Sequence, residues 1–288
     1  MRREREMLDL IVDTAQRDDR IRAVIMNGSR ADPASPRDFF QDFDIVYVVT
    51  DVDALKRVPR WIDRFGELMI LQKPDDMSPP PEHQDGRYAY LMQFADGNRI
   101  DLTLFPAARA AHLAQDSQTM VLLDKDGILP TFPPPSDLDY LPRPPSAKDF
   151  ADCCNEFWWV SPYVAKGLWR RQVTYAKAMA EAIREQLMKM LSWHVGVKTE
   201  FRRGPGKFGK HLEACLEPEL WVRLLRTYSD ADYDHTWEAL LEMGDLFRTV
   251  AVQVGGHFGY EYPSADDRRV SAHLRHVRAL PRDAAEMY

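Results

Sequence analysis

Apolar and polar positions alternate in short runs through the first half of the chain and recur at helical spacing from residue 146 onward. Residues 4–17 are the first departure from that alternation. Met7, Leu8, Ile11 and Ala15 share one helical face, which predicts an amphipathic helix packed on a sheet. Strands are predicted at 22–27, 44–50, 68–71 and 88–94, the last turned by Asp96-Gly97 into a strand at 99–105. An Asp-Gly pair between two alternating runs is a hairpin signal. Helices are expected over 53–65, with Leu55, Val58, Ile62 and Phe65 inward, and over 107–123, passing into a short strand and turn at 122–127. The stretches 31–41 and 74–87 hold Pro33, Pro36, Pro74 and Pro79-Pro80-Pro81 and read as loops.

Pro130, Pro133 to Pro135, Pro142, Pro144 and Pro145 make an extended, stiff connector, because proline continues neither regular structure. This divides the chain into a first domain at 1–135, a linker at 136–145 and a second domain at 146–288. Ser146-x-x-Asp149 is a capping-box variant opening a helix that Pro162 is expected to kink or restart. Val173, Ala176, Ala180, Ile183, Leu187 and Met190 form the stripe of a bundle helix over 171–193. Gly204-Pro205-Gly206 interrupts the pattern. Shorter helices follow near 207–215 and 218–228, then one marked by Tyr233 to Val250 and a basic one marked by Val270 to Leu280. The fold class is α+β: a mixed sheet of four or five strands followed by an all-helical bundle. Ligands commonly settle between domains, so chemistry is expected in the cleft there.

Composition narrows the class. The 288 residues are 45% hydrophobic and 29% charged, as in a soluble globular protein. No run approaches the roughly 18 apolar residues of a membrane span, and Met1-Arg2-Arg3-Glu4-Arg5-Glu6 does not lead into a signal peptide. The three cysteines, with Cys153 and Cys154 adjacent, match neither a disulfide framework nor a zinc pattern and suit reduced thiols in a cytoplasmic protein. A net charge of −7, without a basic cluster among aromatics, argues against nucleic acid and is compatible with a cationic substrate. Monomer and homodimer are both open.

The chemistry concentrates between Asn27 and Tyr47. Gly28-Ser29 follows a strand, and Asp42 and Asp44 open the next one on a shared face. Glycine lets the backbone approach a phosphate, and the Ser29 hydroxyl with nearby N–H groups can donate to its oxygens. Two neighbouring carboxylates repel unless a cation lies between them, and magnesium suits such hard oxygen donors. Arg30 either touches a phosphate or is solvated. On 99–105, Asp101 and Thr103 share one face against Ile100, Leu102 and Leu104 on the other; Asp101 is either the wet side of an edge strand or a third carboxylate of the site.

Gly28-Ser29 followed by Asp42-x-Asp44 resembles the signature of the nucleotidyltransferase superfamily that includes DNA polymerase beta. The runs Phe40-Gln41-Asp42-Phe43-Asp44-Ile45, Gln72-Lys73-Pro74-Asp75-Asp76-Met77, Arg99-Ile100-Asp101-Leu102-Thr103-Leu104 and Asp152-Cys153-Cys154-Asn155-Glu156-Phe157-Trp158 are similar to the aminoglycoside (streptomycin) 6-adenylyltransferases. So are Asp18 to Arg22, Leu122 to Asp126 and Tyr163 to Leu168, so the likeness spans both halves. The resemblance implies a polymerase beta-like first domain and transfer of AMP from ATP to the 6-hydroxyl of streptomycin. It makes Asp42, Asp44 and Asp101 the catalytic, metal-holding carboxylates of a two-magnesium site, with Asp101 assisting proton removal. Gly28, Ser29, Arg30 and Lys166 are the expected nucleotide ligands, although a helical lysine is commonly just surface. Asp152, Glu156 and Trp159 share a helical face. They are either a solvated acidic strip beside a packing aromatic, or carboxylates and a platform for a polycationic sugar. Another acceptor (a different aminoglycoside, a protein or a metabolite) and a catalytically silent nucleotide-binding regulator are the competing readings.

Overall fold

The structure, a computed structural model, describes every residue except 34, 83, 84, 114 and 115. The chain forms two compact units, Met1–Asp139 and Tyr140–Tyr288.

In the first unit, α1 (Glu4–Arg17) precedes β1 (Ile21–Asn27) and β2 (Phe43–Val49), and then α2 (Val52–Lys56), β3 (Leu68–Gln72), β4 (Tyr88–Phe94), β5 (Arg99–Pro106) and β6 (Thr119–Asp124). The six strands lie in the order β3-β4-β5-β2-β1-β6. Only β2 and β5 run parallel; the other neighbours are antiparallel. Side-chain alternation sends Val24, Met26, Ile45, Tyr47, Met92 and Leu102 to one face, against Met7 and Ile11 of α1. The Tyr47 hydroxyl donates to the Ile11 carbonyl at 2.6 Å, and Lys125 donates to the Ala15 carbonyl at 2.7 Å, a cation at the negative end of the α1 dipole. A smaller cluster covers the opposite face, where Ala23, Ile25, Val46, Val48 and Phe105 meet Ala110 and the partly buried Leu129 and Phe132. Asp44 and Asp101 lie on this second face by alternation and remain half-exposed.

Local chemistry explains where expectation and structure part. The expected helix at 53–65 stops at Lys56, before Pro59, and a 3-10 turn takes Trp61–Phe65. The expected helix at 107–123, which includes the undescribed 114 and 115, is a 3-10 turn at Ala107–His112 followed by β6. Thr119 to Leu123 can pair with β1, and that tertiary pairing overrides the helical reading. Among the described residues, six strands therefore replace the four or five expected.

The second unit contains α3 (Ala147–Trp169), α4 (Val173–Lys198), α5 (Leu212–Cys215), α6 (Pro218–Arg226), α7 (Tyr233–Phe258) and α8 (Ser264–Ala279), and no strand among the described residues. Ser146 and Asp149 form the expected reciprocal cap. Pro162 sits inside α3 without dividing it. Its flanks are held by the core, where Phe157 stacks on Phe247 at 3.9 Å, and the helix carries on despite the missing N–H. Cys153 and Cys154 are buried free thiols in this core, and burial raises both, to about 12 for Cys153.

Candidate active site

Strand register assembles the site. Antiparallel β1 and β2 pair Asn27 with Asp44, and parallel β2 and β5 pair Asp44 with Asp101. The turn after β1 and the openings of β2 and β5 therefore lie side by side at one end of the sheet's central strands. Gly28 has φ +74°, which L side chains rarely adopt, and a β-carbon there would stand 2.3 Å from Asp44 Oδ2. The backbone of the turn can approach the carboxylate this closely only as glycine.

Arg99, at the start of β5, faces the carboxylates. Its Nε and Nη2 donate to the two oxygens of Asp101, each at 2.8 Å, and Nε lies 3.6 Å from Asp42 Oδ2. Burial pushes the Asp42 carboxyl up, Arg99 opposes that, and the neighbouring Asp101 charge adds to it. Hydrogen bonding to Asp101 raises Arg99 in turn, with help from Asp42 and Asp44. The donors suit magnesium, which takes hard carboxylate oxygens. As the side chains stand, however, no three His, Cys, Asp or Glu among the described residues converge to hold a metal ion.

A second ring of side chains shapes the turn. Gln41 Nε2 reaches the Ser29 hydroxyl at 3.2 Å and the Ser29 carbonyl at 3.4 Å. Arg30, expected either beside the phosphate or solvated, is not solvated but buried beneath the loop at 5% exposure. Its guanidinium donates to the carbonyls of Gln41 at 2.6 Å and Asp42 at 3.2 Å, pairs with Glu4 at 3.2 Å and lies 4.0 Å over the Phe43 ring. Neither Gln41 nor Glu4 stood out in the sequence, since their partners come from distant segments. Arg99 could have been found: it stands two positions before Asp101, the same-face spacing that joins Asp42 to Asp44.

The residues expected to bind from the helical half lie on α3. Lys166 is half-buried between aromatics, 4.7 Å over the Tyr163 ring and 5.5 Å over Tyr175. Asp152 is exposed and ion-paired with Lys148 one turn away, and Glu156 is exposed. Trp159, 64% exposed, lines a groove of about 680 Å³ along α3 and α8 with Trp158, Tyr163, Glu261 and Asp266. Asp152 and Glu156 are not among its walls. Trp158 is pinned there: its Nε1 donates to the Tyr262 hydroxyl at 3.1 Å, which donates to Asp267 at 2.8 Å. Glu261 and Asp266 lie far from α3 in sequence, beyond the reach of periodicity.

Known proteins similar to this chain share one activity in their names. An aminoglycoside 6-adenylyltransferase of Campylobacter jejuni is 41% identical over 93% of this chain and 93% of its own length. One from Bacillus subtilis is 38% identical over 93% of this chain and 95% of its own. A crystal structure of an aminoglycoside 6-adenyltransferase from Bacillus subtilis aligns with 97% of this chain and 100% of its own, at 34% identity and a TM-score of 0.48. The family model described as streptomycin adenylyltransferase matches residues 1–277, and the chain belongs to that family.

Proposed function

We propose that the protein transfers AMP from ATP to the 6-hydroxyl of streptomycin in a magnesium-dependent reaction that releases pyrophosphate. The observation that carries the nucleotidyl-transfer part of this reading is the register that pairs Asn27, just before Gly28, with Asp44 and Asp44 with Asp101. In such a transfer the acceptor hydroxyl attacks the α-phosphorus. A new O–P bond forms, the bond to the β-phosphate breaks, and the hydroxyl proton needs an acceptor. Asp101 is assigned that proton, a general-base contribution of about 10²–10⁴-fold. The Gly28 turn and the Ser29 hydroxyl, oriented by Gln41, would donate to phosphate oxygens. Asp42, Asp44 and Asp101 are the residues that would hold magnesium, which when bound neutralises charge on the phosphate oxygens. Arg30 is assigned to bracing the loop rather than to phosphate contact, because its donors already meet backbone carbonyls and Glu4.

On the helical unit, the exposed Trp159 face beside Glu261 offers an aromatic platform with a carboxylate, chemistry that suits a polycationic sugar, and Asp266 joins it on condition that it leaves Arg269, which also lines the groove. Asp152 and Glu156 remain proposed acceptor contacts, Asp152 on condition that it leaves Lys148. The test is product analysis after incubation with ATP, magnesium and streptomycin. Adenylylated streptomycin carrying the nucleotide on its 6-oxygen supports the reading. Modification elsewhere, or of other acceptors alone, transfers the chemistry to another substrate, and unreacted ATP with every acceptor favours the silent nucleotide-binding regulator.

A further inference from the structure

Arg99 is the charged group at this site to which nucleotidyl transfer assigns no part. It shares a strand face with Asp101, and its planar guanidinium meets both Asp101 oxygens at 2.8 Å in a two-pronged fork. The same Nε is 3.6 Å from Asp42 Oδ2, so one cation serves two carboxylates. A guanidinium does not give up its proton near neutral pH, so its charge leaves the cluster only if the side chain moves. A divalent ion must be ligated by the carboxylate oxygens themselves. Both oxygens of Asp101 are engaged by Arg99, and no three acidic or other ligating side chains among the described residues converge on one point. The Arg99 side chain is 40% exposed, which leaves it a path outward.

We propose that Arg99 is a built-in counter-cation of the carboxylate cluster, which a divalent ion must displace from Asp101 before the metal site can form. This rests on the metal-dependent reading above. It gives Arg99 a regulatory consequence. In the nucleotide-free protein it relieves repulsion among the carboxylates and competes with free divalent ions. Arrival of ATP with its metal, bringing further positive charge and phosphate ligands, would tip the exchange.

The test compares nucleotide-free wild type, Arg99→Gln and Arg99→Lys by titration calorimetry with Mn²⁺ and by metal-free thermal unfolding. Arg99→Gln is expected to bind Mn²⁺ roughly fivefold tighter, the size set by losing a partly exposed ion pair. Its metal-free midpoint should fall by roughly 2–4 °C and recover in the double variant Arg99→Gln/Asp101→Asn, which removes the repulsion. Arg99→Lys, a compact cation without the fork, should lie between and covers the case in which the glutamine variant folds poorly. Equal or weaker Mn²⁺ affinity in Arg99→Gln overturns the proposal, as does Mn²⁺ binding to none of the proteins. Loss of ATP affinity with no gain in Mn²⁺ affinity makes Arg99 a nucleotide ligand instead. Failure of the transferase reading is seen separately, as absent pyrophosphate release from the wild type.

Discussion

A methyl group on Gly28 meets two obstacles, a left-handed backbone at φ +74° and the Asp44 carboxylate 2.3 Å from where it would sit. Gly28→Ala should therefore cost about 1–2 kcal/mol from the backbone alone. Thermal unfolding reads that cost, and displacement of Asp44 should lower turnover at least about tenfold, equivalent to ~1.4 kcal/mol of barrier. Arg30 makes a different prediction. Arg30→Met keeps the bulk over Phe43 but strips hydrogen bonds from two carbonyls and leaves Glu4 without its buried partner. A loss of about 2 kcal/mol is expected, since Glu4 itself is half-exposed and screened by water. As a brace, Arg30 should affect kcat; a rise in the KM for ATP at unchanged kcat would make it a phosphate ligand after all. Gly28, Ser29, Asp42, Asp44 and Asp101 could be singled out from sequence because a turn residue and a period-two alternation are local signals. The surroundings of Arg30 could not, because Glu4, Gln41 and Phe43 meet it only once α1 and the loop are folded together.

Elements were legible where packing agreed with local preference. The α1 helix, the β4–β5 hairpin with its Asp96-Gly97 turn, and the Ser146 cap all satisfy their own backbone groups within a few residues. β6 was legible only at its end, as the short strand expected at 122–127, because the pairing of Thr119 to Val121 depends on β1 being beside them. The second apolar face of the sheet was not legible, since it draws Leu129 and Phe132 from the start of the proline-dense stretch. In the helical unit, Glu217 at the N-cap of α6 joins that short helix to α4, accepting from His194 at 3.1 Å and pairing with Lys198 at 3.0 Å. Burial alone would push the Glu217 carboxyl up, but hydrogen bonds from His194, the backbone and Lys198 outweigh it and hold it down at about 2. A carboxyl lowered on folding stabilises above its unfolded value, about 4.3, and that help drains away as pH falls toward 2. Glu217→Gln should therefore lose stability at neutral pH, by under about 1 kcal/mol given the half-exposed side chain, and should converge with wild type at the acid end. Thermal midpoints from pH 7 to pH 3 check this; a constant gap across the range would assign the loss to packing.

At the scale of the whole molecule, sequence and structure agree on a mixed sheet carrying carboxylates followed by a helical unit, and the structure adds an aromatic groove on that unit. The division was legible because strand and helix periodicities differ and a proline-dense segment falls between them. The groove was not, because Trp158, Trp159, Glu261 and Asp266 are drawn from two segments a hundred residues apart, on the order of the chain separation that only tertiary folding closes. A net charge of −7 is compatible with a cationic acceptor, and the proposed reaction gives the acceptor's proton to one carboxylate, Asp101. Pyrophosphate release with ATP and magnesium, with and without streptomycin, on wild type and Asp101→Asn is the most direct measurement. Release that requires streptomycin and falls about 10²–10⁴-fold in the variant, with ATP still bound, is the expected result. Unchanged release from Asp101→Asn, or release indifferent to streptomycin, would contradict it.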